Sequence, residues 1–216
     1  YMIKPIVERS KEIIFSNEGN YGSVNANDNG ALSIGCVQWH AGRAKGLLRD
    51  ILKLDMKSAE TYLPDYLIKE IQSNCSWSNR VVNSTEKAAI SKLLTTTAGK
   101  KAQDALADKD VTAYVNHIIS MGYSDEETII FLADIENQGG AGTSTRIGMN
   151  ALKEYGPSVT LEQVLHVACT DIVMKNYQKR RIRVYEKLTG KEKLEIDGKF
   201  GPLTIKALQK FLNSQI

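Results

Sequence analysis

Apolar residues recur at helical spacing along most of this chain. Ile3, Ile6, Val7, Ile13 and Ile14 share one face, and Pro5 stands where a first helical turn tolerates proline. Residues 5–17 therefore predict an amphipathic helix that Gly19 ends, with Glu18 at its C-terminal end. Residues 20–36 break the pattern. Gly, Asn and Asp crowd this stretch, β-prone pieces lie at Val24 and at Leu32-Ser33-Ile34, and the combination predicts a small hairpin-like wing. Helical pattern resumes from Val37, with Leu47, Leu48, Ile51 and Leu52 on one face.

Further stripes follow at Leu63, Tyr66, Leu67 and Ile71, at Ala89, Ile90, Leu93 and Leu94, and at Val111, Val115, Ile118 and Ile119. Ser124 and Glu127 have capping-box spacing ahead of residues 129–135, a run apolar on nearly every side that predicts the central buried helix. Asn137-Gln138-Gly139-Gly140 breaks it. Thr160 and Gln163 repeat the capping-box spacing and open a long helix predicted to run to about residue 188, with Gly190 as its stop. The expected fold is α+β, predominantly α, with one domain over residues 1–190 and a segment of different character over 191–216.

Composition adds bounds rather than detail. Hydrophobic content of 42% and charged content of 25% suit an ordinary globular protein with one sizeable core. No apolar run is long enough to span a membrane. A net charge of +3 suits an anionic surface such as a cell wall and is too small to argue for nucleic acid. The three cysteines, Cys36, Cys75 and Cys169, are odd in number and far apart. They predict reduced thiols rather than a zinc ribbon or a disulfide framework. His40, His117 and His166 are scattered, so neither a metal nor a cofactor is expected. The first residues, Tyr1-Met2-Ile3-Lys4-Pro5, lack the apolar core of a secretory signal, and Met2 reads as the native start.

Candidate chemistry concentrates in residues 18–40. A carboxylate at a helix C-terminus opposes the helix dipole, and Glu18 faces a Gly/Asn-rich wing able to wall a groove. The bland reading is a solvated helix-end glutamate. Asp28, in Asn27-Asp28-Asn29-Gly30, is either a turn residue or a second carboxylate across the groove. A carboxylic acid that protonates a leaving oxygen, opposed by a second carboxylate, is the equipment of glycosidic-bond cleavage. Ser33 and Gln38 are candidates to hydrogen-bond a sugar or hold a water, and Tyr21 and Trp39 to stack on sugar faces or join the core. Asn137 and Gln138 precede glycines that let backbone amides approach a ligand. Cys36 with His117 or His166 would instead make a thiol peptidase, although no orienting group stands at useful spacing. The basic run Lys175, Lys179, Arg180, Arg181, Arg183 and Lys187 reads as a solvated helix end, with contact to a wall polyanion as the sharper alternative.

Glu18, the wing and Ser33-Ile34-Gly35-Cys36-Val37-Gln38 together resemble the lysozyme-like superfamily of peptidoglycan hydrolases. There a catalytic glutamate ends the first long helix, and a Ser/Thr-Ile-Gly stretch closes the β-wing. Ser33 follows Glu18 at the spacing found in phage-type lysozymes, whereas their aspartate position is Asn27 here, with Asp28 next. Lytic transglycosylases carry Ser-Ile-Gly-Leu-Met-Gln after a single glutamate, and this chain departs from that at two positions. The blocks from Glu18 to His40 and at residues 137–140 are similar to glycosidase domains of endolysins from phages of Gram-positive hosts. The segment Asp197-Gly198-Lys199-Phe200-Gly201-Pro202, with the helix-like Ala207-Leu208-Gln209 that follows, resembles part of a peptidoglycan-binding repeat.

The resemblance implies a peptidoglycan glycosidase with Glu18 as general acid and Asp28 in support. Tyr21, Ser33, Gln38, Asn137 and Gln138 would bind substrate, and residues 191–216 would bind the wall. No nucleic acid, membrane span, metal or cofactor is implied. The protein would wait in the host cytoplasm until release to the wall. A lytic transglycosylase using Glu18 alone, a Cys36 thiol peptidase on the peptide stems, and a non-catalytic wall-binding protein stand as alternatives.

Overall fold

A computed structural model of the protein describes residues 3–191. The segment resembling a wall-binding repeat lies outside the described residues, apart from Lys191. The first helix, α1, runs over Ile3–Glu18 and buries Ile6, Val7 and Ile14. A three-stranded antiparallel meander follows, with β1 at Val24–Asp28, β2 at Ala31–Ile34 and β3 at Trp39–His40, in that order. Asn29 and Gly30 join β1 to β2 with φ of 51° and 93°. Positive φ at both central residues is what a two-residue hairpin turn requires, and Asn-Gly meets it at little cost.

The rest is helical: α2 (Gly42–Leu54), α3 (Met56–Tyr62), α4 (Asp65–Gln72), α5 (Ser84–Leu94), α6 (Thr97–Ser120), α7 (Glu126–Gly139), α8 (Ala141–Tyr155), α9 (Leu161–Thr170) and α10 (Gln178–Thr189). A short 3-10 turn, Met174–Tyr177, links the last two. The fold is thus α+β and predominantly α. As the all-round apolar run implies, α7 is the central helix, with every residue from Thr128 to Glu136 buried. Helices α1, α6, α8 and α10 pack around it. The segment between α4 and α5 pads the wing: Leu32 N–H donates to Arg80 O at 2.8 Å and Val82 N–H to Ala26 O at 3.2 Å. None of the described helices is long and apolar enough to cross a membrane.

Four local expectations need correction. Asn137, Gln138 and Gly139 do not break the central helix but form the last turn of α7, which only Gly140 ends. Residues 37–41 form the close of the meander rather than a helix start, and α2 begins only at Gly42. The residue capping α7 is Asp125, whose carboxylate accepts from Thr128 N–H, not Ser124. The helix expected over 160–188 is broken at Asp171. The Asp171 carboxylate accepts from the N–H groups of Val173 and Met174 at 2.9 and 3.0 Å, and both oxygens pair with Arg146 at 2.7 and 2.9 Å. Capping a new turn competes with continuing the old helix.

The Arg146 guanidinium, together with those backbone donors, holds the Asp171 carboxyl well below the usual carboxylate range. A depressed folded-state pKa contributes stability that is fully present above the unfolded value, near 4, and fades as pH falls below it. Asp171→Asn is expected to cost about 1–3 kcal/mol at pH 7. The gap in melting temperature from the unaltered protein should narrow between pH 5 and pH 2, and a gap independent of pH would refute the assignment.

Candidate active site

The end of α1 is built for close approach. A Cβ on Gly19 would lie 2.6 Å from Ser23 Oγ, so only glycine lets the chain fold back into the wing at this point. The same position is 4.0 Å from Gln38 Nε2, which brings Gln38 beside the end of α1. Gln38 itself has φ of 57° and donates from Nε2 to Gly35 O at 2.9 Å.

Glu18 is mostly buried, with 16% of its side chain exposed. Its Oε1 is ion-paired with Arg180 Nη1 at 2.6 Å and accepts from Asn137 Nδ2 at 3.2 Å. Its Oε2 has no hydrogen bond among the described residues. The dipole of α1 disfavours an anion here, and Arg180, brought in from α10, supplies the compensating cation.

Arg180 is in turn fixed from behind. Its Nε and Nη2 grip Asp134 of α7 at 3.2 and 2.7 Å, while Arg181 Nη2 reaches the same carboxylate at 2.6 Å. Asn17 Nδ2 adds a fourth bond to Asp134 at 3.3 Å, and Arg181 Nη2 also donates to Gln138 Oε1 at 2.8 Å. Asp134 and Arg181 are both fully buried. Two carboxylates and two guanidiniums make a quartet of no net charge. Burial alone would lower the Arg180 pKa, but the hydrogen bond and charge of Asp134 and the charge of Glu18 outweigh it and raise it. For Arg181 burial prevails, helped by the charge of Arg180, and its pKa is lowered.

A second cluster occupies the wing. Ser33 Oγ donates to Asp28 Oδ2 at 2.7 Å, and Asn29 Nδ2 donates to Asp28 Oδ1 at 3.2 Å. His40, opposite Ser33 in the β2–β3 ladder, has its Nδ1 3.0 Å from Ser33 Oγ. Among the described residues no side-chain hydrogen bond or ion pair joins this cluster to the one around Glu18.

Neither a family model, nor a curated protein, nor a solved structure matches this chain.

The two clusters contain five of the seven expected site residues: Glu18, Asn137 and Gln138 in the first, Asp28 and Ser33 in the second. Gln38 stands beside the first through Gly19. Tyr21 is engaged elsewhere: its hydroxyl donates to Asp104 of α6 at 2.6 Å, which, with burial, pushes its pKa up to about 12. Lys100 stands over its ring. Trp39 belongs to the core, 2% exposed, with its indole N–H on Asp110.

Arg180 and Arg181 were expected on a solvated helix end and are instead interior. The signal was present in two places. Asp134 interrupts the apolar run over residues 129–135, and a buried carboxylate there demands a cation. Arg181 is also in phase with Val184, Tyr185 and Leu188, the buried stripe of α10. His40 was weighed from sequence only as a metal ligand, because its place beside Ser33 and Asp28 follows from the strand register.

Proposed function

We propose that this protein cleaves the glycan strands of bacterial peptidoglycan, with Glu18 as the general acid. The observation that carries the reading is the division of labour between the two Glu18 oxygens. Oε1 is committed to Arg180 and Asn137, which fixes the carboxyl group, while Oε2 has no hydrogen-bond partner among the described residues and can carry a proton to a glycosidic oxygen. A wing bearing Asp28, with Ser33 bonded to it, supplies a second carboxylate to stabilise an oxocarbenium ion, activate a water or act as nucleophile.

The lysozyme-like likeness of residues 18–40 supports the same polymer, as does that of residues 197–209 to a wall-binding repeat. On this reading the chain is a phage-type lysin. It acts on the wall after release from the host cytoplasm, and residues 191–216 tether it there.

The thiol-peptidase alternative fares worse on chemistry. Cys36 is 2% exposed, and burial, reinforced by the charge of Asp104, pushes its thiol up to about 12. A thiol so held supplies little thiolate for attack.

The test is incubation with purified Gram-positive peptidoglycan, followed by assay of reducing ends and mass spectrometry of the fragments. New reducing ends with hydrated products support the reading. Anhydro products would move it to a transglycosylase using Glu18 alone, new amino groups would indicate a peptidase, and sedimentation with walls without cleavage a binder. Asp28→Asn is expected to lower the rate of reducing-end release at least tenfold. A rate near that of the unaltered protein would leave Asp28 as a turn residue, a role asparagine fills equally well.

A further inference from the structure

The Asp28–Ser33–His40 cluster carries more than a second carboxylate. A serine hydroxyl has one proton to give, and here two acceptor-capable atoms flank it, Asp28 Oδ2 at 2.7 Å and His40 Nδ1 at 3.0 Å. An ionised carboxylate only accepts, so the hydroxyl proton must point to Asp28. His40 Nδ1 must then be the donor to Ser33 Oγ, which selects the Nδ1–H tautomer or the imidazolium. The order of donation is imidazole to hydroxyl to carboxylate. Strand pairing brings the imidazole and the hydroxyl together, because Ser33 and His40 are directly opposed in the β2–β3 ladder.

We infer that His40 is a positioning residue that orients the Ser33 hydroxyl toward Asp28 and, when protonated, cancels the negative charge Asp28 presents to the substrate. This inference rests on the glycosidase reading above. The imidazole is half exposed, with 46% of its side chain accessible, so protons reach it from solvent. Its Nδ1 lies 3.9 Å from Asp28 Oδ2, close enough for an imidazolium to form an ion pair. A carboxylate paired with a cation stabilises a developing oxocarbenium ion less well than a free one.

The other charged groups near His40 are already engaged. β2 has no ionisable side chain. On α2, Arg43 pairs with Asp110 of α6, and Lys45 and Arg49 donate to carbonyls at residues 71–75. Lys53 pairs with Asp50. Asp110, which faces β3 from α6, is bonded to both Trp39 and Arg43. Asp28 is thus the one carboxylate in ion-pair contact with His40 among the described residues.

Only the imidazolium carries the charge that pairs with Asp28 across 3.9 Å, so the acid limb of the pH–rate profile should belong to His40. With purified Gram-positive peptidoglycan as substrate, kcat/KM of the unaltered protein should fall about tenfold between pH 8 and pH 5.5. In His40→Asn the side-chain amide keeps a donor near the Nδ1 position and cannot titrate. That variant should stay within about threefold of the unaltered rate at pH 8 and fall less than threefold by pH 5.5. His40→Leu, which cannot donate, should lose about tenfold at both pH values. A residue with only a structural role would leave the acid limb intact in every variant, and that result in an active His40→Asn would overturn the inference while sparing the glycosidase reading.

A second measurement needs no activity. Nitrogen-15 NMR of histidine-labelled protein at pH 8 should find His40 as the Nδ1–H tautomer, reverting in Ser33→Ala to the Nε2–H form that free imidazole side chains prefer. An Nε2–H ring in the unaltered protein would refute the proposed order of donation. An unaltered protein that releases no reducing ends would sink the glycosidase reading and the catalytic part of this inference with it.

Discussion

Glu18→Gln is expected to abolish lysis, lowering the rate of reducing-end release by about 10² to 10⁴ while the fold survives. The amide keeps the shape of the side chain and an oxygen for Arg180 and Asn137, so the contacts now made at Oε1 persist. What disappears is the capacity of the second oxygen to take up a proton and deliver it to the leaving group. Arg180 loses one anionic partner but keeps its two-bond grip on Asp134, so no guanidinium is left stranded. The melting temperature should therefore move by only a few degrees. Cys36→Ser, at a buried thiol with no thiolate to lose, should retain most activity. A Glu18→Gln protein with more than a tenth of the original rate, or a Cys36→Ser protein that is inactive, would remove the glycosidase assignment.

The parts of this molecule legible in sequence are those governed by local rules. The apolar periodicity located most helices, and the all-round apolar run at residues 129–135 marked the centre of the core. Asn29-Gly30 announced the hairpin because its backbone demand is local. The Thr160–Gln163 capping box is present as read. The errors arose where two local rules competed or where a partner came from far along the chain. At Asp171 the helical period argues for continuation and the carboxylate argues for a new cap; the cap, reinforced by Arg146 from α8, prevails. Ile172, counted in the apolar face, is left 74% exposed.

The arginines at 180 and 181 look like helix-end charges until Asp134, 46 and 47 positions earlier, is set beside them. Glu18 could be proposed from its place at a helix end, but not the atoms that hold it. Those come from α7 and α10, and no spacing within residues 18–40 specifies them.

The largest loss of stability is expected at Asp134. Asp134→Ala removes the carboxylate that accepts from Arg180, Arg181 and Asn17 and leaves a fully buried guanidinium with Gln138 as its one remaining hydrogen-bond partner among the described residues. Arg181 has no latitude to absorb this, since its Nε and Nη1 already lack hydrogen-bond partners among the described residues. Stranding one member of a buried ion pair costs about 3–5 kcal/mol, a large share of a typical folding free energy. For a chain of this size that is roughly 6–20 °C in melting temperature.

The double variant Asp134→Leu with Arg181→Met separates stability from positioning. Replacing both buried charges with apolar side chains of similar volume should recover at least half of the lost stability, because desolvating the pair was itself costly. Activity should not recover. Without Asp134, Arg180 keeps one of its three anchoring bonds and no longer fixes the Glu18 carboxyl group, so the double variant should be folded yet at least about tenfold slower. Urea unfolding and reducing-end release, measured on the same preparations, read the two effects apart. An Asp134→Ala cost below about 1 kcal/mol would show that the quartet is not a buried charge network. A double variant with full activity would show that Glu18 needs no support from behind.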